Sequence, residues 1–310
     1  MPEVSFVLPA YKRKYLKESI ASILAQTYRD FELVVVDDCS PEGLKEIVDE
    51  FHDERLSYYR NEKNIGGKDL VAAWTHAMAY AQGAWCVLAS DDDVYLPEYL
   101  EEMIRLRDKY PACDLFHSRM AIIDADGRWV GGGHGRIVHE TQLQMLYSRG
   151  VLGVIQTMAD FMFRRKAYER IGGFVRFPRA WYSDDATWFS LAANGCVCSP
   201  RILYCWRSSG DNISTRFDDV LEKQAASTAY KKWARELMSR IKPGSREEKE
   251  FNGKICNGIC RRVDALSRWE MQQLNLVSWL KVMMKTHVGR TLKRAFVLDR
   301  IRTPYHLRRY

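Results

Sequence analysis

Phe31-Glu32-Leu33-Val34-Val35-Val36-Asp37-Asp38 is a strand-length run, apolar almost throughout, that ends abruptly in two carboxylates. Continuous apolar character, without the alternation of a half-exposed strand, marks a strand buried on both faces of a parallel sheet. The same reading extends outward in both directions. Upstream, Val4–Leu8 is a strand, and Leu16, Ile20, Ile23 and Leu24 form a helical stripe. Downstream, Leu44, Ile47, Val48 and Phe51 recur at helical spacing, Leu56–Tyr59 is a third strand, and residues 67–81 are helical. Trp85–Ala89 is a fourth strand, and Pro97 opens a helix running to about Tyr110 at a position where proline is tolerated. Four successive βα units predict an α/β fold with a Rossmann-type mixed, mostly parallel sheet flanked by helices.

Beyond Asp114 the alternation loosens. Leu115–Ile123 reads as a strand, residues 124–127 as a hairpin turn, and residues 131–135 as a glycine-rich loop too flexible for a regular element and a candidate lid. Phe161–Arg164 is strand-like, residues 185–194 are helical, and Cys196–Tyr204 holds two short extended pieces. After Phe217 the pattern is that of amphipathic helices, broken at Lys242-Pro243-Gly244-Ser245. That break is the expected boundary between a body, residues 1–240, and an appendage, residues 241–310.

With 310 residues, 46% hydrophobic and 28% charged, the chain is suited to a packed core, and neither disorder nor a coiled coil is expected. The formal charge of +7 is unevenly spread: residues 241–310 carry 16 basic and 6 acidic side chains, whereas residues 1–240 are net acidic. No signal peptide and no run of about 18 apolar residues is read, so neither secretion nor a membrane span is expected. The eight cysteines have no zinc-knuckle spacing and are expected as reduced thiols of a cytoplasmic protein. Asp124-Ala125-Asp126-Gly127 lacks the closing glutamate of a calcium loop and reads as a plain turn.

Polar residues collect where strands end. Pro9-Ala10-Tyr11 follows the first strand, Asp37-Asp38 the second, Asn61 and Asn64 the third, and Asp91-Asp92-Asp93 the fourth. Ligands of open α/β sheets bind at that edge, so four polar strand ends point to a nucleotide-sized site. No GxGxxG follows the first strand and no GxxxxGK[ST] occurs, which removes the dinucleotide and P-loop readings. Three consecutive carboxylates repel one another and any anionic ligand unless a cation lies among them, and hard oxygen donors select Mg²⁺ or Mn²⁺.

Taken together, Val4–Tyr11, residues 19–28 (ending Gln26-Thr27-Tyr28), Phe31–Ser40, Asn64-Ile65-Gly66-Gly67 and Ser90–Pro97 resemble the inverting family 2 glycosyltransferases of GT-A fold, of the bacterial cell-surface polysaccharide type. The resemblance implies a nucleotide-binding half over residues 1–110 and, more loosely, an acceptor-binding half over 111–215. It implies that Pro9, Tyr11 and Asp38 line the nucleobase pocket, that Ala10 and Asn64 also bind the nucleotide, that Asp91 approaches the ribose, and that Asp92, with Asp93 assisting or only shaping the turn, holds the metal. Arg170–Phe174 and Asp184-Asp185, with Gly195 ten residues after Asp185, resemble the family's acceptor-side segment. Asp185 would then be the catalytic base, with Asp184 beside it; a carboxylate at a helix start is chemically suited to take a proton from an attacking sugar hydroxyl.

Two departures stand out. Ser209 occupies the place where the family often carries a histidine, so a diphosphate contact is expected from Arg207, Ser208, Ser209, Asp211 or Asn212. Lys68 follows the glycine pair and is a candidate nucleotide contact. The expected activity is metal-dependent inverting transfer of a monosaccharide from a nucleotide-diphosphate sugar, with UDP as the expected nucleotide, to a hydroxyl of a glycan or lipid-linked acceptor. The alternatives are a non-catalytic nucleotide-sugar-binding scaffold or a sugar nucleotidyltransferase. From about residue 246 to 296, Trp269, Trp279 and aliphatic residues alternate with Arg261, Arg262, Arg268, Lys281 and Lys285. This basic amphipathic pattern is open to two readings: a helical subdomain, or a surface for anionic membrane on the inner face of the cytoplasmic membrane. Nucleic acid is not an expected partner, since no recognised motif accompanies the charges.

Overall fold

The computed structural model describes residues 1–274 apart from 134, 136, 211, 213–218, 243 and 244. They form two compact units: residues 1–176 with 183–211, and residues 177–182 with those from 212 onward. The first unit carries ten strands in one sheet. These are β1 (Val4–Ala10), β2 (Phe31–Asp37), β3 (Leu56–Arg60), β4 (Trp85–Leu88), β5 (Val94–Tyr95), β6 (Leu115–Ile123), β7 (Trp129–Gly132), β8 (His139–Glu140), β9 (Phe161–Arg164) and β10 (Cys196–Arg207). The path is β3-β2-β1-β4-β9-β6-β10-β5, with β7 on β6 and β8 on β10.

The four N-terminal strands pair in parallel in the order 3-2-1-4. Register places Ala10 opposite Asp37 and Asp37 opposite Arg60, so the carboxyl ends of β1, β2 and β3 lie side by side. The helices of this unit are α1 (Leu16–Leu24), α2 (Leu44–Val48), α3 (Leu70–Met78), α4 (Tyr99–Lys109), α5 (Gln142–Met145), α6 (Arg165–Arg170) and α7 (Ser183–Leu191). A single π-helical turn, Leu146–Val151, follows α5. Helix α1 buries Leu16, Ser19, Ile20 and Ile23, one face at i, i+3, i+4 and i+7, as an amphipathic helix packed on a sheet requires. Beneath the β4 end the core is aromatic: Phe6 meets Tyr95 at 5.1 Å, and Tyr95 meets Tyr204 at 5.3 Å.

The mixed, mostly parallel sheet is the one expected, and the four N-terminal strands lie within a residue or two of their predicted bounds. Three expectations are corrected. The glycine-rich segment is not wholly irregular, because Gly131 and Gly132 pair with Ile122 and Ala121 and end a strand. Cys196–Tyr204 is not two pieces but one long strand whose pairing with β6 shifts register between Cys198 and Tyr204. The boundary expected at residue 241 lies earlier. Helix α8 (Val220–Arg240), assigned to the body, belongs to the second unit with α9 (Arg246–Gln273). Lys231 pairs with Asp264 at 2.5 Å and Gln224 donates to the Ser267 carbonyl at 3.2 Å, so the two helices run antiparallel. The Pro243-Gly244 break separates two helices of one unit. Of the basic amphipathic stretch, residues 275–310 lie outside the described residues, and no described helix is long and apolar enough to cross a membrane.

Glu270 on α9 is 3% exposed, and its Oε1 has no partner among the described residues. Burial pushes its carboxyl up from 4.5 to about 7. A raised acid favours the protonated folded state, so stability is intact below about pH 4.5 and falls as pH rises toward 7. Glu270→Gln is expected to unfold like the parent at pH 4.5 and to melt a few degrees higher at pH 8, as calorimetry at the two pH values will show.

Candidate active site

The strand-end loops are joined by carboxylates that accept backbone amides. Asp37, fully buried, accepts Ser40 N at 2.7 Å and the Tyr58 hydroxyl at 2.6 Å, and pairs with Arg60. The turn after it passes through Cys39 at φ 56°, a left-handed conformation costly for a residue with a side chain. Asp38 Oδ1 accepts Asn61 Nδ2 at 2.8 Å and Ile65 N at 2.9 Å, while Oδ2 accepts Gly66 N at 2.7 Å. A Cβ on Gly66 would lie 3.0 Å from Asp38 Oδ2. Asn64 Oδ1 in turn accepts Gly67 N. The Asn64–Gly67 stretch is therefore a loop that folds its amides around Asp38, with glycine where the carboxylate comes close.

Asp91 ties the first loop to the fourth. Its Oδ2 accepts both Tyr11 N and Lys12 N at 2.8 Å, and burial pushes its carboxyl up to about 6 against those two bonds. Ser40 Oγ donates to the Tyr11 carbonyl at 2.6 Å, so β1, β2 and β4 meet at Tyr11. The Tyr11 side chain is 44% exposed, a ring left available for a flat ligand. Pro9 is half-buried, Ala10 is buried, and Lys68 is exposed at the mouth of α3.

The three consecutive aspartates have different surroundings. Asp93 is sealed: Oδ2 accepts the Tyr204 hydroxyl at 2.5 Å and Oδ1 accepts Arg207 N at 2.9 Å. Burial, and then the Asp92 charge, push its carboxyl up to about 8, so it holds its proton near neutrality. Of its two expected roles, metal ligand and shaper of the turn, this geometry favours the second. Asp92 is 7% exposed; its Oδ1 accepts the Ser90 hydroxyl, and its Oδ2 bonds to none of the described residues yet is not closed off from solvent. Arg207 departs from the expected diphosphate contact. Its guanidinium donates to Glu18 Oε2 at 2.5 Å and to the Asp92 carbonyl at 2.8 Å, and lies 4.3 Å over the Tyr15 ring. It is a buried clamp on the aspartate turn. Ser209 is half-buried and adds only a hydroxyl; Asp211 lies outside the described residues.

On the acceptor side, Asp184 and Asp185 occupy the first turn of α7, where the helix N-terminus favours negative charge. Asp185 is 5% exposed. Its Oδ1 accepts Arg149 Nε at 2.8 Å and Gln156 Nε2 at 2.9 Å, whereas Oδ2 bonds to none of the described residues. Burial and the Asp185 charge push the Asp184 carboxyl upward. Asp184 thus tends to hold its proton while Asp185 lies against a guanidinium, which separates the roles of the two. Arg149 and Gln156 were not legible in the sequence. Arg149 sits on the π-helical turn, a distortion frequent at functional sites, and Gln156 on irregular chain. Gly195, at φ 92°, lies against β8, where a Cβ would be 2.6 Å from His139 Nε2.

The sheet order, the carboxylate turn after β4 and the acidic start of α7 define a GT-A-like architecture. The family model for glycosyl transferase family 2 matches residues 5–172, and the chain belongs to that family. An uncharacterized glycosyltransferase of Methanocaldococcus jannaschii is 34% identical over 131 residues, 41% of this chain and 44% of that protein, so the match spans less than half of the relative. Among solved structures, S. aureus TarS 1–349 in complex with UDP-GlcNAc superposes with a TM-score of 0.59 at 19% identity, covering 96% of this chain and 92% of that one. Mannosyltransferase PcManGT from Pyrobaculum calidifontis, in complex with GDP-Man and Mn²⁺, gives 0.57 at 15% identity over 99% and 84%. At these identities the likeness is one of fold.

Gly66→Ala is expected to push Asp38 off its amide cradle and cost about 1–3 kcal/mol of stability. Urea denaturation measures that cost; an unchanged midpoint would show that the cradle is loose.

Proposed function

We propose that this chain transfers a monosaccharide from a nucleotide-diphosphate sugar, with UDP as nucleotide, to an acceptor hydroxyl with inversion at the anomeric carbon. One observation carries the reading: Asp92 and Asp185 are buried carboxylates, each with one oxygen tied down by the protein and the other left open. The first lies at the donor edge of the sheet and the second at the start of α7.

Asp185 Oδ2 receives the proton of the acceptor hydroxyl as that oxygen attacks the anomeric carbon from the face opposite the diphosphate. The new carbon–oxygen bond forms as the bond to diphosphate breaks, and the electron pair leaves with the diphosphate. The proton ends on Asp185, and no covalent enzyme intermediate is needed. Arg149 and Gln156 keep Oδ1 occupied so that Oδ2 is the atom presented.

The donor set fits a divalent cation of the Mg²⁺ or Mn²⁺ kind. Such ions use one or two carboxylates plus substrate phosphates in place of an all-protein cage, and Asp92 offers Oδ2, which bonds to none of the described residues. When bound there, the ion would offset charge building on the departing diphosphate. That TarS is described with UDP-GlcNAc and PcManGT with GDP-Man and Mn²⁺ supports the donor class and the metal. For the acceptor, a glycan or lipid-linked saccharide fits the exposed apolar side chains of the acceptor half, Trp129, Val130, Leu152 and Ile155, which suit sugar faces or a lipid stem. Surface-polysaccharide assembly, and association with the inner face of the membrane, belong to the same proposal.

Thermal unfolding with UDP, GDP, ADP and CDP, each with Mn²⁺ or EDTA, tests the donor side. UDP with Mn²⁺ is expected to stabilise the protein, by about 2.7 kcal/mol at 100 times the dissociation constant. Asp92→Asn should remove the Mn²⁺-dependent part, and Asp185→Asn should retain it while lowering turnover at least about 100-fold. Equal response to all four nucleotides, or full turnover by Asp185→Asn, would contradict the reading.

A further inference from the structure

The carboxylate placed at the acceptor side and the aspartate turn at the donor side are far apart in sequence, yet two adjacent residues reach both. Gln156 is 5% exposed on chain with no regular secondary structure, and its side-chain amide donates to Asp185 Oδ1. Burying an amide is costly unless it is partnered, and that carboxylate is one partner of the Gln156 amide. The next residue turns the other way. Thr157 Oγ1 donates to the Tyr204 hydroxyl at 3.0 Å, and Tyr204 donates to Asp93 Oδ2 at 2.5 Å. The Thr157 carbonyl accepts Trp188 Nε1 at 3.3 Å, and Trp188 lies on α7 three residues after Asp185. Arg149, the other group on Asp185 Oδ1, also donates to the Val154 carbonyl at 3.2 Å in the same stretch.

We propose that Gln156-Thr157 is a positioning pair, a tether that fixes the open oxygen of Asp185 relative to the Asp91–Asp93 turn. The proposal rests on the glycosyl-transfer reading, and adds to it how base and donor turn are held in register. Neither residue touches the reacting atoms; each acts through a carboxylate. The tether has two independent halves. Gln156 selects which oxygen of Asp185 is free, and Thr157 anchors the segment through Tyr204 to the sealed Asp93. Arg149 brings charge to the same oxygen but lies on the π-helical turn, so it does not replace the link to Asp93.

The test uses full-length protein with Mn²⁺, measuring release of UDP from UDP-GlcNAc, UDP-glucose and UDP-galactose and of GDP from GDP-mannose, with water as acceptor. Gln156→Met, which keeps length and removes the amide, should lower turnover by about tenfold to hundredfold, the scale of a small misplacement of a reacting group. Its melting temperature and its UDP–Mn²⁺ affinity should stay at parental values. In an Asp185→Asn background the same substitution should slow turnover no further, because the two act as one unit. Thr157→Val, which spares the bond to Asp185, should also lower turnover, with a smaller effect. A merely structural role predicts instead a fall in melting temperature and additive losses in the double variant. Parental turnover by Gln156→Met, or additivity with Asp185→Asn, would overturn the tether. A parent protein inactive toward all four donors is a different result, and would count against the glycosyl-transfer reading itself.

Discussion

Carboxylates brought below the surface at one edge of a sheet have to be answered by donors, and the first unit is arranged around that requirement. Asp37, Asp38, Asp91 and Asp93 lie within or next to the ends of β2 and β4, where burial strips water from them. Asp37, Asp38 and Asp91 take hydrogen bonds from backbone amides of the strand-end loops, and Asp93 takes one from Arg207 N at the end of β10. A charge-assisted bond to an amide is stronger than a neutral one, and an unanswered buried carboxylate is expensive. The loops after β1, β2 and β3 are therefore held by the polar groups that also line the site. What would be four loose connections becomes a single platform, with Tyr11 as the point where three of its elements meet.

Against that background, the proposed chemistry falls to two carboxylates. Asp92 and Asp185 each have one oxygen bonded and the other without a partner among the described residues, a pattern Asp91 shares through its Oδ2. Their immediate companions, Asp93 and Asp184, have carboxyls pushed upward by burial and by the adjacent charge. In both pairs, environment divides two chemically identical side chains into one that tends to hold its proton and one open toward a ligand. The Arg207 clamp and the Tyr204 hydroxyl enforce this on the donor side; Arg149 and Gln156 do so on the acceptor side.

The N-terminal half of the fold was legible because buried parallel strands are continuous apolar runs and their helices keep a 3.6-residue stripe. Phe31–Asp37 and Ile20, Ile23 need no distant partner to be recognised. The strand-end aspartates were legible as a group, and the resemblance gave them separate expected roles, but the contacts that distinguish their surroundings were not legible. Asp93 is sealed by Tyr204 and Arg207, which are 111 and 114 residues away, and no local pattern announces that. Arg149 and Gln156 escaped for the same reason: they meet Asp185 from 36 and 29 residues upstream, on a distorted turn and an irregular segment without periodicity. Arg207 was expected as a diphosphate contact, and its ion pair with Glu18 and its place over the Tyr15 ring could not be read from the sequence. The sequence break at residues 242–245, a strong local signal, falls between α8 and α9 of one unit, because a breaker alone does not mark a domain edge.

Crystals of the protein grown with UDP and Mn²⁺, with anomalous diffraction used to locate the manganese, test the central claim most directly. The prediction is one manganese at Asp92 beside the bound diphosphate, with Asp93 still bonded to Tyr204 and Arg207 and with Asp185 Oδ2 open toward the acceptor side. Manganese on Asp93, or nucleotide bound away from Tyr11 and Asp38, would contradict it.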